Sequence, residues 1–232
     1  MVPAVEGSSP FTHPNTSRAQ ETIIHSDLAG DSDLLGRIGH ACYKYRQHLS
    51  IALLVASVVV AQPLTRSGRV NLALDAVAFA LVLAGGAVRS WAMGYHVWRR
   101  RHGAEGNRSL VTAGPYALVR NPLYLGTLLI SAGVALMSGS VPLIAVFVVV
   151  FVGGYLAIIH WEESRLTRQF GERYRDYFAS VPRLVPLPRV WKRREGTFSF
   201  DTMMRCMEPV KTVGFLAALA LMAYLKTRGE GS

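Results

Sequence analysis

Charge is scarce in this chain and unevenly spread. Asp, Glu, Lys and Arg make up 17% of its 232 residues, against about 25% in an ordinary soluble domain. The deficit falls in long uncharged runs, which excludes a plain water-soluble fold. Cysteine is nearly absent as well. Cys42 and Cys206 stand far apart, which excludes a disulfide framework and matches no metal or redox spacing, so no metal site is expected. The N-terminal stretch lacks a basic n-region and an apolar h-region, so it does not read as a signal peptide. Residues 1–36, rich in Pro, Ser, Thr and Asp, read as a flexible tail.

What is present is apolar and basic. Hydrophobic residues make up 50% of the chain, mean hydropathy is +0.25, and net charge is +10 with a pI near 10.1. Such a basic excess suits nucleic acid or anionic lipid. With apolar runs between the basic clusters it points to membrane lipids and not to nucleic acid. The fold class expected is all-α, a polytopic helical membrane protein with about five transmembrane helices.

The first apolar run covers Leu49–Thr65 and the second Val70–Trp98, the latter carrying Asp75 and Arg89 near its ends. From Leu123 to Trp161 no charged residue occurs. That is too long for one span of about 20 residues, and Ser138-Gly139-Ser140-Val141-Pro142 offers the turn of a helical hairpin, Leu123–Met137 with Val141–Trp161. A last stretch, Thr212–Leu225, either spans with Lys211 and Lys226 snorkelling or lies in the interface. Arg99–Arg120 holds five arginines while the first turn holds Arg66 and Arg69. The positive-inside rule then places both large basic loops in the cytoplasm of a bacterial membrane, beside the tail. In the second run, Ala84-Gly85-Gly86-Ala87 permits either tight helix packing or a lateral gap through which a lipophilic molecule enters. Residues 37–195 read as the core and 196–232 as a C-terminal extension.

Two basic segments carry the residues suited to chemistry. The first runs Arg108-Ser109-Leu110-Val111-Thr112-Ala113-Gly114-Pro115-Tyr116, then Arg120-Asn121-Pro122-Leu123-Tyr124-Leu125-Gly126. A helix opening at Pro122 aims free N–H groups at the loop, and Arg120 beside it can clasp a carboxylate. The same tyrosines and arginine are also what any membrane boundary collects. The second segment begins His160-Trp161-Glu162-Glu163. Leu166, Phe170, Tyr174, Tyr177 and Val181 follow at helical spacing, as in an amphipathic helix over the membrane or a merely solvated charged one. A carboxylate at the end of a span is costly and suits an ammonium group.

Leu-Val-Thr-x-Gly-Pro-Tyr, Arg-Asn-Pro-x-Tyr-x-Gly, a membrane hairpin, Glu-Glu, Phe-Gly-x-x-Tyr-x-x-Tyr and Val-Pro-Arg, in that order, resemble the isoprenylcysteine carboxyl methyltransferase family. Phospholipid methyltransferases share the outline. The resemblance covers about Arg99 to Pro186. It implies S-adenosylmethionine as methyl donor and a lipophilic acceptor reached from the bilayer. It further implies cofactor contacts at Arg108, Ser109, Leu110, Val111, Tyr116, Asn121, Pro122, Leu123, Tyr124 and Glu162. A guanidinium beside a helix N-terminus suits the donor carboxylate, so Arg120 is the catalytic residue expected.

Two positions depart from the family pattern. Asn121 stands where histidine is common, which leaves a contact role and removes an acid–base one. Ile158 stands where prenylcysteine enzymes resemble one another in an arginine, which puts a prenylcysteine carboxylate in doubt as acceptor. An alternative resemblance, to NADPH-dependent membrane reductases of the sterol-reductase type, rests on the Tyr-x-x-Tyr and Val-Pro elements. Neither resemblance speaks to oligomeric state.

Overall fold

The computed structural model describes residues 34–61, 68–95, 110–186 and 194–229. Its helices are α1 (Leu34–Val59), α2 (Gly68–Tyr95), α3 (Pro122–Met137), α4 (Val141–Phe170), α5 (Glu172–Ser180), α6 (Phe200–Arg205) and α7 (Glu208–Gly229), with one 3₁₀ turn at Gly114–Ala117. No strand occurs among the described residues. The all-helical class expected from the apolar runs is the one observed.

Length and composition allow three helices to cross a membrane: Asn71–Tyr95, Val141–Phe170 and Glu208–Arg228. Two shorter apolar helices, Ser50–Val59 and Pro122–Met137, accompany them. α3 and α4 form the expected hairpin, turning at Gly139, whose φ of 64° suits a residue without Cβ. α4 does not stop at Trp161. It runs on to Phe170 and breaks at Gly171, where φ is 56°. The amphipathic helix expected over Leu166–Val181 is therefore split, its first turn continuing α4 and the remainder forming α5. No breaking residue lies between Trp161 and Phe170, so an apolar helix simply carries its hydrogen bonding onward.

Glycine lets α2 and α3 approach closely. A Cβ on Gly85 would stand 2.6 Å from the Gly126 carbonyl oxygen, and one on Gly133 2.6 Å from that of Ala78. Gly86 faces the Thr212 side chain of α7 just as tightly. The small residues at positions 84–87 thus serve packing. The lateral gap of the alternative reading is closed at these positions by α3 on one side and α7 on the other.

α7 is tied to α2 near both ends. Arg89 meets Glu208 at 2.8 Å, and Lys226 meets Asp75 at 2.6 Å. Lys226 is 7% exposed and also touches the Met137 sulfur at 3.4 Å. The snorkelling expected of it does not occur, because the half-buried Asp75 carboxylate within reach satisfies the ammonium better than a stretched path to water. α7 also begins at Glu208, a full turn earlier than its apolar run, because Arg89 neutralises that residue.

Candidate functional site

The starts of α1, α3 and α7 and the ends of α2 and α4 meet at one end of the bundle. An aromatic file leads to it through the core: Phe147 to Phe151 (5.9 Å between centroids), Phe151 to Tyr155 (6.1 Å) and Tyr155 to Tyr124 (5.7 Å). The file starts in a π-helical stretch, Phe147–Val152, a local widening that is frequent near functional sites.

Two adjacent glutamates divide the work there. Glu163 is 3% exposed and fully engaged. It accepts from Arg120 Nε at 2.9 Å, Asn121 Nδ2 at 3.0 Å and Arg183 Nε and Nη2 at 3.0 and 2.7 Å. Arg120 also donates Nη1 to the carbonyls of Phe178 and Val181, the former at 2.6 Å, and lies 4.0 Å over the Phe178 ring. The backbone is stitched at the same place, Arg120 N to Pro182 O at 2.8 Å and Asn121 N to Arg183 O at 3.2 Å. One carboxylate and two guanidiniums therefore lock the entry of α3 to α4 and to the chain beyond α5. Arg120, expected to clasp a ligand carboxylate, spends Nε and Nη1 on this lock. Asn121 spends its amide there too.

Glu162 points elsewhere, as a step of about 100° along a helix requires. It is half-buried, and its carboxylate interacts with the Tyr124 hydroxyl. Its charge also reaches Tyr116. Burial first, and then the Glu162 carboxylate, push the Tyr116 hydroxyl well above the ordinary phenol range, so it stays a neutral donor. Tyr116 itself is fixed by its carbonyl, which accepts from Tyr177 Oη at 2.6 Å. The structure thus brings together Tyr116, Tyr124 and Glu162 among the residues expected from sequence. Pro122 opens α3, and the Leu123 carbonyl accepts from Thr127 Oγ1 at 2.9 Å and from Arg89 at 3.4 Å.

Leu110 is buried in a second cluster with Tyr174, Tyr177 and Val181. Val111 lies against Gly196. The amides of Thr112 and Ala113 both donate to the Glu195 carbonyl, at 2.9 and 3.0 Å, so the last residue of the expected core straps the loop that precedes Tyr116. Arg108 and Ser109 lie outside the described residues, as do the arginine run at 99–101 and Arg66.

Sequence reasoning gave Arg183 and Glu208 no role at this end, and it placed Arg89 and Glu163 here without their partners. One signal was available: an arginine inside an apolar run needs a buried partner. An open apolar groove runs along α1 past His48, Ile51, Ala52, Val55, Ala56, Val59 and Val60. Those residues lie on the face of the helix turned away from Ser50 and Leu53, so the groove is separate from the Glu162 cluster. Among the described residues no three His, Cys, Asp or Glu side chains converge as for a metal ion.

A helical membrane bundle with a polar, aromatic mouth at one end is the class this geometry defines. Residues 73–173, from α2 to the start of α5, match the model of the family described as phospholipid methyltransferase. Among curated proteins, the chain is similar to the nickel-cobalt-cadmium resistance protein NccN of Alcaligenes xylosoxydans xylosoxydans, with 35% identity over 89 residues, 38% of this chain and 41% of that one. It is also similar to the cobalt-zinc-cadmium resistance protein CzcN of Cupriavidus metallidurans, with 36% identity over 93 residues, 40% of this chain and 42% of that one. The matched stretches thus span about two-fifths of those relatives. No solved structure matches the chain.

Proposed function

We propose that this protein is an integral membrane methyltransferase that moves a methyl group from S-adenosylmethionine to a lipophilic acceptor drawn from the membrane. The observation that carries the proposal is the Glu162 cluster, lying inside the matched segment. Glu162 is a half-buried carboxylate beside two tyrosines, Tyr116 and Tyr124, whereas the neighbouring Glu163 is consumed in structure.

The residues fit the donor. Its ammonium suits Glu162, and its sulfonium and adenine suit the faces of Tyr116, Tyr124 and Tyr155. When bound, S-adenosylmethionine supplies an electrophilic methyl and a neutral thioether leaving group. What the chain contributes is placement. Glu162 orients the donor, and Tyr124, held by Glu162, orients Glu162. Arg120, Asn121 and Arg183 fix α4 through Glu163, which makes Arg120 a positioning residue. Bringing two reactants together in line accounts for most of the rate in such a transfer, and no covalent nucleophile is required. Asn121, committed to Glu163, takes no part in proton transfer.

We place the site on the cytoplasmic side of a multi-pass membrane protein with five spans. The loop arginines motivate the side, and the gathering of five helix termini at the site end supports the count. Calorimetry of the purified protein with S-adenosylhomocysteine and, separately, with NADPH tests the reading. Micromolar binding of the first is expected. Binding of NADPH and not of S-adenosylhomocysteine would replace it with the reductase alternative.

A further inference from the structure

Three arginines at the site end have carboxylate partners: Arg89 with Glu208, and Arg120 and Arg183 with Glu163. Arg46 differs. It is half-buried on α1. Its guanidinium lies 3.9 Å from the centre of the Tyr43 ring, and its Nη1 donates to the Tyr43 carbonyl at 2.6 Å. Among the described residues it is paired with no carboxylate. Its remaining guanidinium N–H groups are not buried, so they are open to an anionic group at this end of the bundle.

Its surroundings say where that anion would sit. Tyr43 packs 5.2 Å from the Trp161 ring, next to Glu162. Ser50, one turn along α1, donates to the Arg46 carbonyl at 3.0 Å, and its side chain interacts with the Tyr155 hydroxyl. Tyr155 in turn lies 5.7 Å from Tyr124, the partner of Glu162. The charge of Arg46 also reaches the hydroxyls of Tyr124 and Tyr155. An arginine that merely anchored α1 at the membrane surface would turn toward water, whereas this one lies on the inner face of its helix. The apolar stretch Ser50–Val59 begins one turn later, so Arg46 stands at the boundary between hydrocarbon and headgroups. α1 also precedes residue 73, where the matched segment begins. An element outside the donor-binding segment suits recognition of the second substrate.

We propose that Arg46 anchors the acceptor, binding an anionic group, a carboxylate or a phosphate, on an amphiphile that meets the Glu162 cluster at the α1 side of the bundle. The proposal rests on the methyltransferase reading for the meaning of that cluster, and its test is separable from it. The competing source of the same anionic chemistry is the carboxylate of the donor itself.

The test uses the full chain in phosphatidylcholine nanodiscs, with quenching of tryptophan fluorescence by dibromostearate, dibrominated phosphatidic acid and the neutral dibromostearyl alcohol. Trp161, 5.2 Å from the Tyr43 ring that carries Arg46, is the reporter. Wild type is expected to bind both anionic probes at least about tenfold more tightly than the alcohol. Arg46→Gln should reduce that preference to within about twofold and Arg46→Lys should keep most of it, with S-adenosylhomocysteine affinity within about twofold throughout. Absence of any preference in wild type overturns the proposal without recourse to a variant. So does a preference that survives in Arg46→Gln. A loss of about tenfold in S-adenosylhomocysteine affinity in that variant also overturns it and assigns Arg46 to the donor carboxylate. If wild type ignores S-adenosylhomocysteine yet shows the Arg46-dependent preference, the donor reading fails and the anchor stands.

Discussion

The guanidinium of Arg89 grips both carboxylate oxygens of Glu208, at 2.8 and 3.0 Å, across 119 residues of chain. It also reaches Thr127 Oγ1, so a single side chain on α2 joins α3 and α7. Lys211 also reaches Glu208, at 3.0 Å, but from an exposed position, so Glu208→Ala strands Arg89 whereas Arg89→Ala leaves Glu208 a weaker partner. Glu208→Ala should cost about 3–5 kcal/mol and Arg89→Ala less, both read as a fall in the thermal midpoint of the purified protein. Arg89→Met with Glu208→Leu should lose far less than the sum. Additive losses in the double variant would contradict a direct pair.

Glu162 and Glu163 should respond differently to the same change. Glu162→Gln is expected to weaken S-adenosylhomocysteine binding by about 1.5–3 kcal/mol, the range for a hydrogen bond to a charged group, with the unfolding midpoint unmoved. Glu163→Gln should lower the midpoint, because Arg120 and Arg183 lose their shared counter-charge. Calorimetry and thermal unfolding on both variants decide the assignment. The reverse pattern would exchange the two roles.

Glycine substitutions separate packing from open space. Gly85→Ala places a methyl 2.6 Å from the Gly126 carbonyl and should destabilise by about 1–3 kcal/mol. Gly86→Leu, which meets Thr212, should disrupt the fold and not selectively block acceptor entry. Gly153 and Gly214 meet nothing within 4 Å. Alanine at either should be neutral or stabilising by up to about 1 kcal/mol, the helix-propensity gain. A well-folded Gly86→Leu protein would show that α2 and α7 can separate there.

Topology is checked by single cysteines introduced after Cys42 and Cys206 are replaced. A cysteine at position 68, at the far end of α2, should react from outside the cell. One at position 172, just past α4, should react from the cytoplasm. Labelling of both from the same side would refute the five-span arrangement.

Much of this molecule is written locally. Helical class, the α3–α4 hairpin, its turn at Gly139 and the opening of α3 at Pro122 follow from uncharged runs, glycine and proline, because each acts on its own stretch of backbone. The opposed facings of Glu162 and Glu163 follow as well, since a helix sets the angle between neighbours. The partners of the charged groups do not. Arg89 meets Glu208, Lys226 meets Asp75 across 151 residues, and Arg120 meets Glu163 across 43. Periodicity shows that a charge on an apolar helix needs compensation, but any opposite charge at similar depth would serve. Only the crossing of the helices, set by close contacts such as Gly85 on Gly126 and Gly86 on Thr212, decides which cation each carboxylate meets. That choice takes Arg120 into the frame and leaves Arg46 without a carboxylate partner among the described residues.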